Sequence, residues 1–287
     1  MRVLMKKSGI FIFFIFLPLY TSIYAIVLES ELNMSNFGLK NNGSYRSIPD
    51  FGGMLKLEEQ ILPHFSVKIA FERDSEIGNI IWSSFTYQSS LIDVSIGPSL
   101  CILNSLNSFS DAISSFQPGI NLGINIVTES GFVAGFQGAF AVSVLSTSDA
   151  TAFLQSGSAN IGYRFPNLLA ELRYTHKGRV NVINGGKSFF SITDYGLYTE
   201  TFYKPSKLKI PINIIFRNVK YTPKTNVEEK KNYGTLIFET GFNIRVNSDI
   251  EIGILVGASP YSFNLDNDLS ALQKFFFRSN AHIRIAL

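Results

Sequence analysis

Cysteine is almost absent: Cys101 stands alone among 287 residues. An internal disulfide framework is therefore excluded. Cys101 also lies too far along the chain to carry an N-terminal lipid, so a small strand residue is expected there. Charge is scarce as well. Asp, Glu, Lys and Arg make up 16% of the chain, against roughly a quarter in ordinary soluble domains. Histidine occurs three times, as His64, His176 and His282. None has another histidine two or four residues away, so no metal site is expected.

Long apolar runs are missing too. After residue 25 none reaches 18 residues, so no membrane helix is expected. No helical period of useful length appears; residues 103–115 could form one short turn within a loop. There is no low-complexity linker, no internal repeat beyond a hairpin rhythm, and no plug domain before the first strand-like segment.

Acid is lacking from the first 25 residues, which hold Arg2, Lys6 and Lys7. Met1–Lys7 reads as a basic n-region, Gly9–Tyr20 as an apolar core, and Thr21–Ala25 as a cleavage region ending in a small residue. Residues 1–25 are thus expected to be a cleaved signal peptide, with one domain over 26–287. Beyond them, 22 bases balance 22 acids. Nucleic-acid binding would want a basic excess, so no nucleic-acid partner is expected.

What the chain does have is aromatic residues, 14% of the total with 26 Phe and 12 Tyr, and a period of two. In 120–126, Ile120, Leu122, Ile124 and Ile126 alternate with Asn121, Gly123 and Asn125. In 208–217, Leu208, Ile210, Ile212, Ile214 and Phe216 oppose Lys209, Asn213 and Arg217. In 236–246, Leu236, Phe238, Phe242, Ile244 and Val246 oppose Glu239, Asn243 and Arg245. The same grammar recurs in 65–72, 131–146, 168–175 and 250–258. Successive strand side chains point to opposite faces, so each segment has one greasy face and one polar face.

The links add a second signal. Strands are expected near 26–37, 50–61, 64–73, 79–89, 91–102, 116–128, 131–146, 152–164, 167–176, 188–204, 207–222, 233–246, 249–262 and 273–287. Every second link is tight, as at Leu62-Pro63, Ser90, Glu129-Ser130, Phe165-Pro166, Pro205-Ser206 and Asn247-Ser248. The others, such as 38–49, 103–115, 177–187 and 223–232, are longer and polar. Short turns at one end and long loops at the other describe a transmembrane antiparallel up-and-down β-barrel. About 14 strands are expected, with 12 or 10 as alternatives. An even count puts both termini at the short-turn, periplasmic end.

A soluble barrel would bury the greasy face, whereas a membrane barrel turns it outward. Charges of both signs on the polar face, among them Glu171, Arg173, Arg217, Glu239, Arg245 and Glu251, would be costly in a dry core. Aromatics near strand ends, such as Tyr87, Tyr163, Phe165, Tyr174, Tyr203 and Tyr221, suit an interfacial girdle. The last residues put Phe275, Phe277, Ile283, Ile285 and Leu287 on one face, with Lys274, Arg278, His282 and Arg284 on the other. This ending resembles the C-terminal assembly signal of bacterial outer-membrane barrel proteins, which more often close on an aromatic residue than on Leu287. The resemblance covers the whole of 26–287 as architecture and points to no particular family. It implies the outer membrane as location, and outer-membrane lipid and the barrel-assembly machinery as partners.

Chemistry is not legible. His64 and Ser66 have the two-residue spacing of a nucleophile and base on one strand face, but they abut a turn and show no acid or amide orienter. Asp266-Asn267-Asp268 and Gly185-Gly186-Lys187 read as loops. No catalytic residue, metal or cofactor is expected.

The lumen is where function is expected. Its candidate lining is Glu29, Glu31, Lys56, Lys68, Glu171, Arg173, Lys209, Arg217, Glu239, Arg245, Glu251, Lys274, Arg278 and Arg284. Closing the barrel would bring Lys274, Arg278 and Arg284 beside Glu29 and Glu31 as cross-strand ion pairs. Arg217 and Arg245 would make a basic patch. The reading is porin-like passive diffusion of small hydrophilic solutes. The alternatives are a surface barrel acting through its loops, as an adhesin or structural anchor, and a carrier of hydrophobic molecules.

Overall fold

The alternating segments become strands in a computed structural model, which describes residues 26–37, 49–74, 78–103, 115–141, 150–183, 186–203, 207–222, 230–260, 262–265, 271–272 and 275–287. The segment 1–25, Lys274 and Asp266–Asp268 lie outside the described residues. Nine strands cover the first two thirds: β1 (Ile26–Ser35), β2 (Asp50–Leu62), β3 (Phe65–Asp74), β4 (Gly78–Gln88), β5 (Ile92–Leu103), β6 (Ser115–Val127), β7 (Phe132–Ala141), β8 (Ala150–Arg164) and β9 (Leu168–Ile183). Then come β10 (Gly186–Tyr203), β11 (Leu208–Thr222), β12 (Lys231–Arg245), β13 (Ile250–Ser259), the short β14 (Ser262–Asn264) and β15 (Ala271–Leu272), and β16 (Phe276–Ala286).

Each of β1 to β13 pairs antiparallel with its sequence neighbours. β16 then joins β13 to β1 and shuts a ring of fourteen strands. β14 and β15 form a flap that extends from Tyr233–Thr235 of β12. The ring leaves the barrel no free edge, so its backbone groups are paired within the sheet, as hydrocarbon surroundings demand.

At one end no link exceeds four residues. Small polar side chains build these turns. Asn247 Oδ1 accepts from the amides of Asp249 and Ile250 at 2.9 and 2.7 Å. Ser89 Oγ accepts from Ile92 at 3.0 Å. Gly131 sits at φ 100°, where a Cβ would meet the Arg164 carbonyl oxygen; only glycine adopts that backbone without strain.

Large apolar side chains cover the outside: Phe51 is 63% exposed, Leu172 63%, Phe238 52% and Ile212 53%. Charged side chains are inside, with Glu171, Asp194, Arg217 and Glu239 all at 7% or below. That inversion is the signature of a wall facing lipid.

One expected loop is not a loop. Residues 177–183 continue β9, and β10 begins at Gly186, with Ile183 opposite Gly186. A membrane needs only about 9–11 residues per tilted strand, and β9 and β10 have 16 and 18. Beyond the lipid band a strand needs no greasy face, so its alternation fades and polar strand residues read as loop.

Candidate functional site

The lumen is built in three levels, counted from the short-turn end. At the lowest level, ladder neighbours carry opposite charges. Lys56 Nζ lies 2.5 Å from Glu29, its partner in register. Lys68 lies 3.3 Å from Glu58, which also accepts from Ser66 and Gln88. Arg173 bonds Glu171 at 2.8 Å along β9, and Asn160 adds a 3.2 Å bond from β8. Glu251 is shared by Lys209 at 3.4 Å and Arg245 at 3.9 Å.

At mid-height the charges are deeper. Arg217 grips Asp194 with Nε and Nη2, both at 2.8 Å, in a fork that fits both carboxylate oxygens. Arg278, on the far side of β11, β12 and β13, reaches Asp194 at 3.6 Å and bonds Glu239. Asn213 donates to Glu239 at 3.1 Å. Two arginines, two carboxylates and one amide thus bind β10, β11, β12 and β16 across the interior. Such buried charges persist only when matched in this way.

The third level is apolar. Phe37, Ile80, Cys101, Phe190, Ile192, Ile215, Val219, Tyr233, Ile237 and Phe276 form one buried cluster near the long-loop end. Its members come from opposing walls, since β4 and β11 stand seven strands apart either way around the ring. Phe37 is placed by Asn36, whose side chain accepts from the Phe277 amide at 2.8 Å and donates to the Phe275 carbonyl at 3.0 Å. The Phe37 ring then stacks on Phe276 at 5.2 Å and carries the Arg217 guanidinium at 5.1 Å. Polarity was the sequence expectation for the whole interior, and here it does not hold. The available signal was the loss of alternation in Ile214-Ile215-Phe216 and Leu236-Ile237-Phe238.

Below this cluster lies polar space. A cavity of about 850 Å³ is bounded by β1 to β10, with Lys56, Lys68, Asp93, Asn121, Gln137 and Arg173 among its walls. A smaller one of about 280 Å³ adjoins the Arg217–Glu239–Arg278 group and shares Glu31, Glu72, Lys177 and Tyr198 with the first.

The charges at the seam choose partners other than those expected. Register sets Glu29 opposite Arg284 and Glu31 opposite His282. Yet Glu29 pairs with Lys56, and Glu31 accepts from Asn280. Arg278 stands opposite Ser35, four residues above Glu31, about 13 Å along the strand, so it turns to Asp194 and Glu239 instead. Arg284 lies near the short-turn rim, flanked in register by Glu29 and Glu251. Nor do Arg217 and Arg245 make a patch. Arg217 stands opposite Thr235, and Arg245 is ten residues further along β12, about 33 Å away. Each has its own acid.

His64 and Ser66 do not meet. Ser66 points inward to Glu58, whereas His64 bonds the Gln88 carbonyl at 3.0 Å beside the exposed Tyr87 ring.

Solved structures share this architecture. An outer-membrane channel from Pseudomonas putida F1 aligns over 92% of this chain and 95% of its own, with a TM-score of 0.51 and 9% identity. A FadL homologue of Pseudomonas aeruginosa aligns over 91% and 88%, with a TM-score of 0.50 and 6% identity. At such identities the likeness is one of fold, and the fold is that of bacterial outer-membrane β-barrels. No protein-family model matches the sequence, and no curated protein matches it.

Proposed function

We propose that this bacterial outer-membrane β-barrel is a channel for the passive passage of small hydrophilic solutes, narrowed at its long-loop end by an apolar constriction. One observation carries the reading: a polar cavity of about 850 Å³ lies inside a wall whose outer face is apolar. A wet interior makes the abundance of lumen charge tolerable, and rings of charged side chains screen solutes by charge and size. The apolar cluster above it would resist wetting, which is how hydrophobic constrictions gate. Export through a cleaved signal peptide and insertion by the barrel-assembly machinery belong to the same reading.

Planar-bilayer recording tests it. The purified chain is expected to give small, discrete conductance steps with a low open fraction. Silence of both the natural protein and a variant with Phe37 truncated to alanine would overturn it. A second reading, carriage of a hydrophobic molecule, draws support from the same apolar cluster. Uptake of an apolar dye by vesicles without ionic conductance would favour that alternative.

A further inference from the structure

We infer that the larger cavity is a binding site for a small neutral saccharide; this rests on the reading of the lumen as water-filled. The cavity has two unlike walls. On β5 to β8 its inward residues between Ser95 and Asn160 carry no charge; they are hydroxyls and amides such as Asn121, Asn125, Gln137 and Ser158. Each primary amide both donates and accepts, so this wall can answer the mixed donor and acceptor pattern of sugar hydroxyls.

The facing wall is ionic yet offers little to an anionic solute. Lys56 is engaged by Glu29, Lys68 by Glu58 and Arg173 by Glu171. Four bases (Lys56, Lys68, Arg173, Lys177) stand against three acids (Glu31, Glu72, Asp93) around the cavity. An anionic guest would have to break an existing pair or rest against the uncharged wall without a counter-ion, and both are costly. A neutral guest only exchanges hydrogen bonds.

Two further features point to a guest of this kind. The Trp82 ring borders the same space, beside Tyr198, whose ring already carries the Arg173 guanidinium at 4.3 Å, and an aromatic face is an apolar body against which sugar C–H groups pack. The volume also falls in the range of small-molecule sites, roughly 300–1,000 Å³.

Trp82 is the chain's single tryptophan, so binding can be read without any current. The full chain, folded in detergent micelles, is titrated with maltose while Trp82 emission is followed. Sodium glutamate and lysine hydrochloride serve as charged controls at equal concentration. The expected result is a saturable change with maltose alone, its half-saturation raised about fivefold by Gln137→Ala and by Asn125→Ala through loss of one hydrogen bond each. Both side chains are exposed to the lumen, so their truncation strands no buried group. No saturable change with maltose, or an equal one with either salt, would overturn the inference. Maltose binding by a protein that never conducts would leave this site standing and sink the channel reading; conduction without binding would do the reverse.

Discussion

Arg217 and Asp194 face each other in register on β10 and β11 and are joined by two parallel hydrogen bonds of 2.8 Å. Both side chains are nearly excluded from solvent. Removing one partner of a buried pair leaves an uncompensated charge. Arg217→Met is therefore expected to lower unfolding stability by about 3 kcal/mol, the low end for such a pair because Arg278 still touches Asp194. Lys209→Met, at the more open pair with Glu251, should cost less than about 1 kcal/mol. Guanidinium titrations of the two variants in micelles compare them directly.

Phe37 is held between Phe276 and Arg217 at the top of the lumen. Phe37→Ala removes the ring without touching the outer wall. Open fraction in bilayers is expected to rise severalfold, with a stability loss of roughly 3 kcal/mol from the cavity left behind. An unchanged open fraction would show that Phe37 does not restrict passage.

Phe238 projects 52% exposed from the middle of β12. Phe238→Lys should cost about 2–4 kcal/mol, since a cation at the bilayer midplane is expensive. Gln137→Lys, on the lumen face, should cost under about 1 kcal/mol because water reaches the new ammonium. Unfolding in lipid vesicles separates the two, and equal costs would deny that the walls differ.

Lumen bases and acids nearly cancel around the main cavity. A salt gradient across a bilayer should therefore give a reversal potential close to zero. Replacing Lys56 and Lys68 together by glutamate adds four negative units of change on one wall and should turn the channel cation-selective. A strong selectivity in the natural protein would contradict the balance.

The sequence carried the barrel well where lipid contact imposes a rule. The alternation of Ile120 to Ile126 and of Leu208 to Phe216 reappears as outward and inward faces, and Asn247 and Ser89 mark turns that their own side chains build. It carried less where that rule lapses. Above the lipid band β9 runs on through Lys177, Gly178 and Arg179 with no greasy face to reveal it. Inside, Ile215 and Ile237 occupy positions that alternation alone assigns to polar residues, because packing across the lumen decides them. Partner choice was the least legible: Glu29 has Lys56 on one side and Arg284 on the other, and only three-dimensional reach settles which it takes.

Because β16 is the strand that bridges β13 and β1, the ring cannot shut until that strand is in place. Until then any sheet built from the earlier strands carries two naked rims, each a template for adhesion to other chains. Its closing contacts join residues far apart along the chain, such as Val27 and Ala286, the slowest kind of contact to form. Maturation is thus expected to hinge on a helper that shields both rims until the final strand arrives, and loss of that strand should abolish assembly in a single step instead of weakening it gradually.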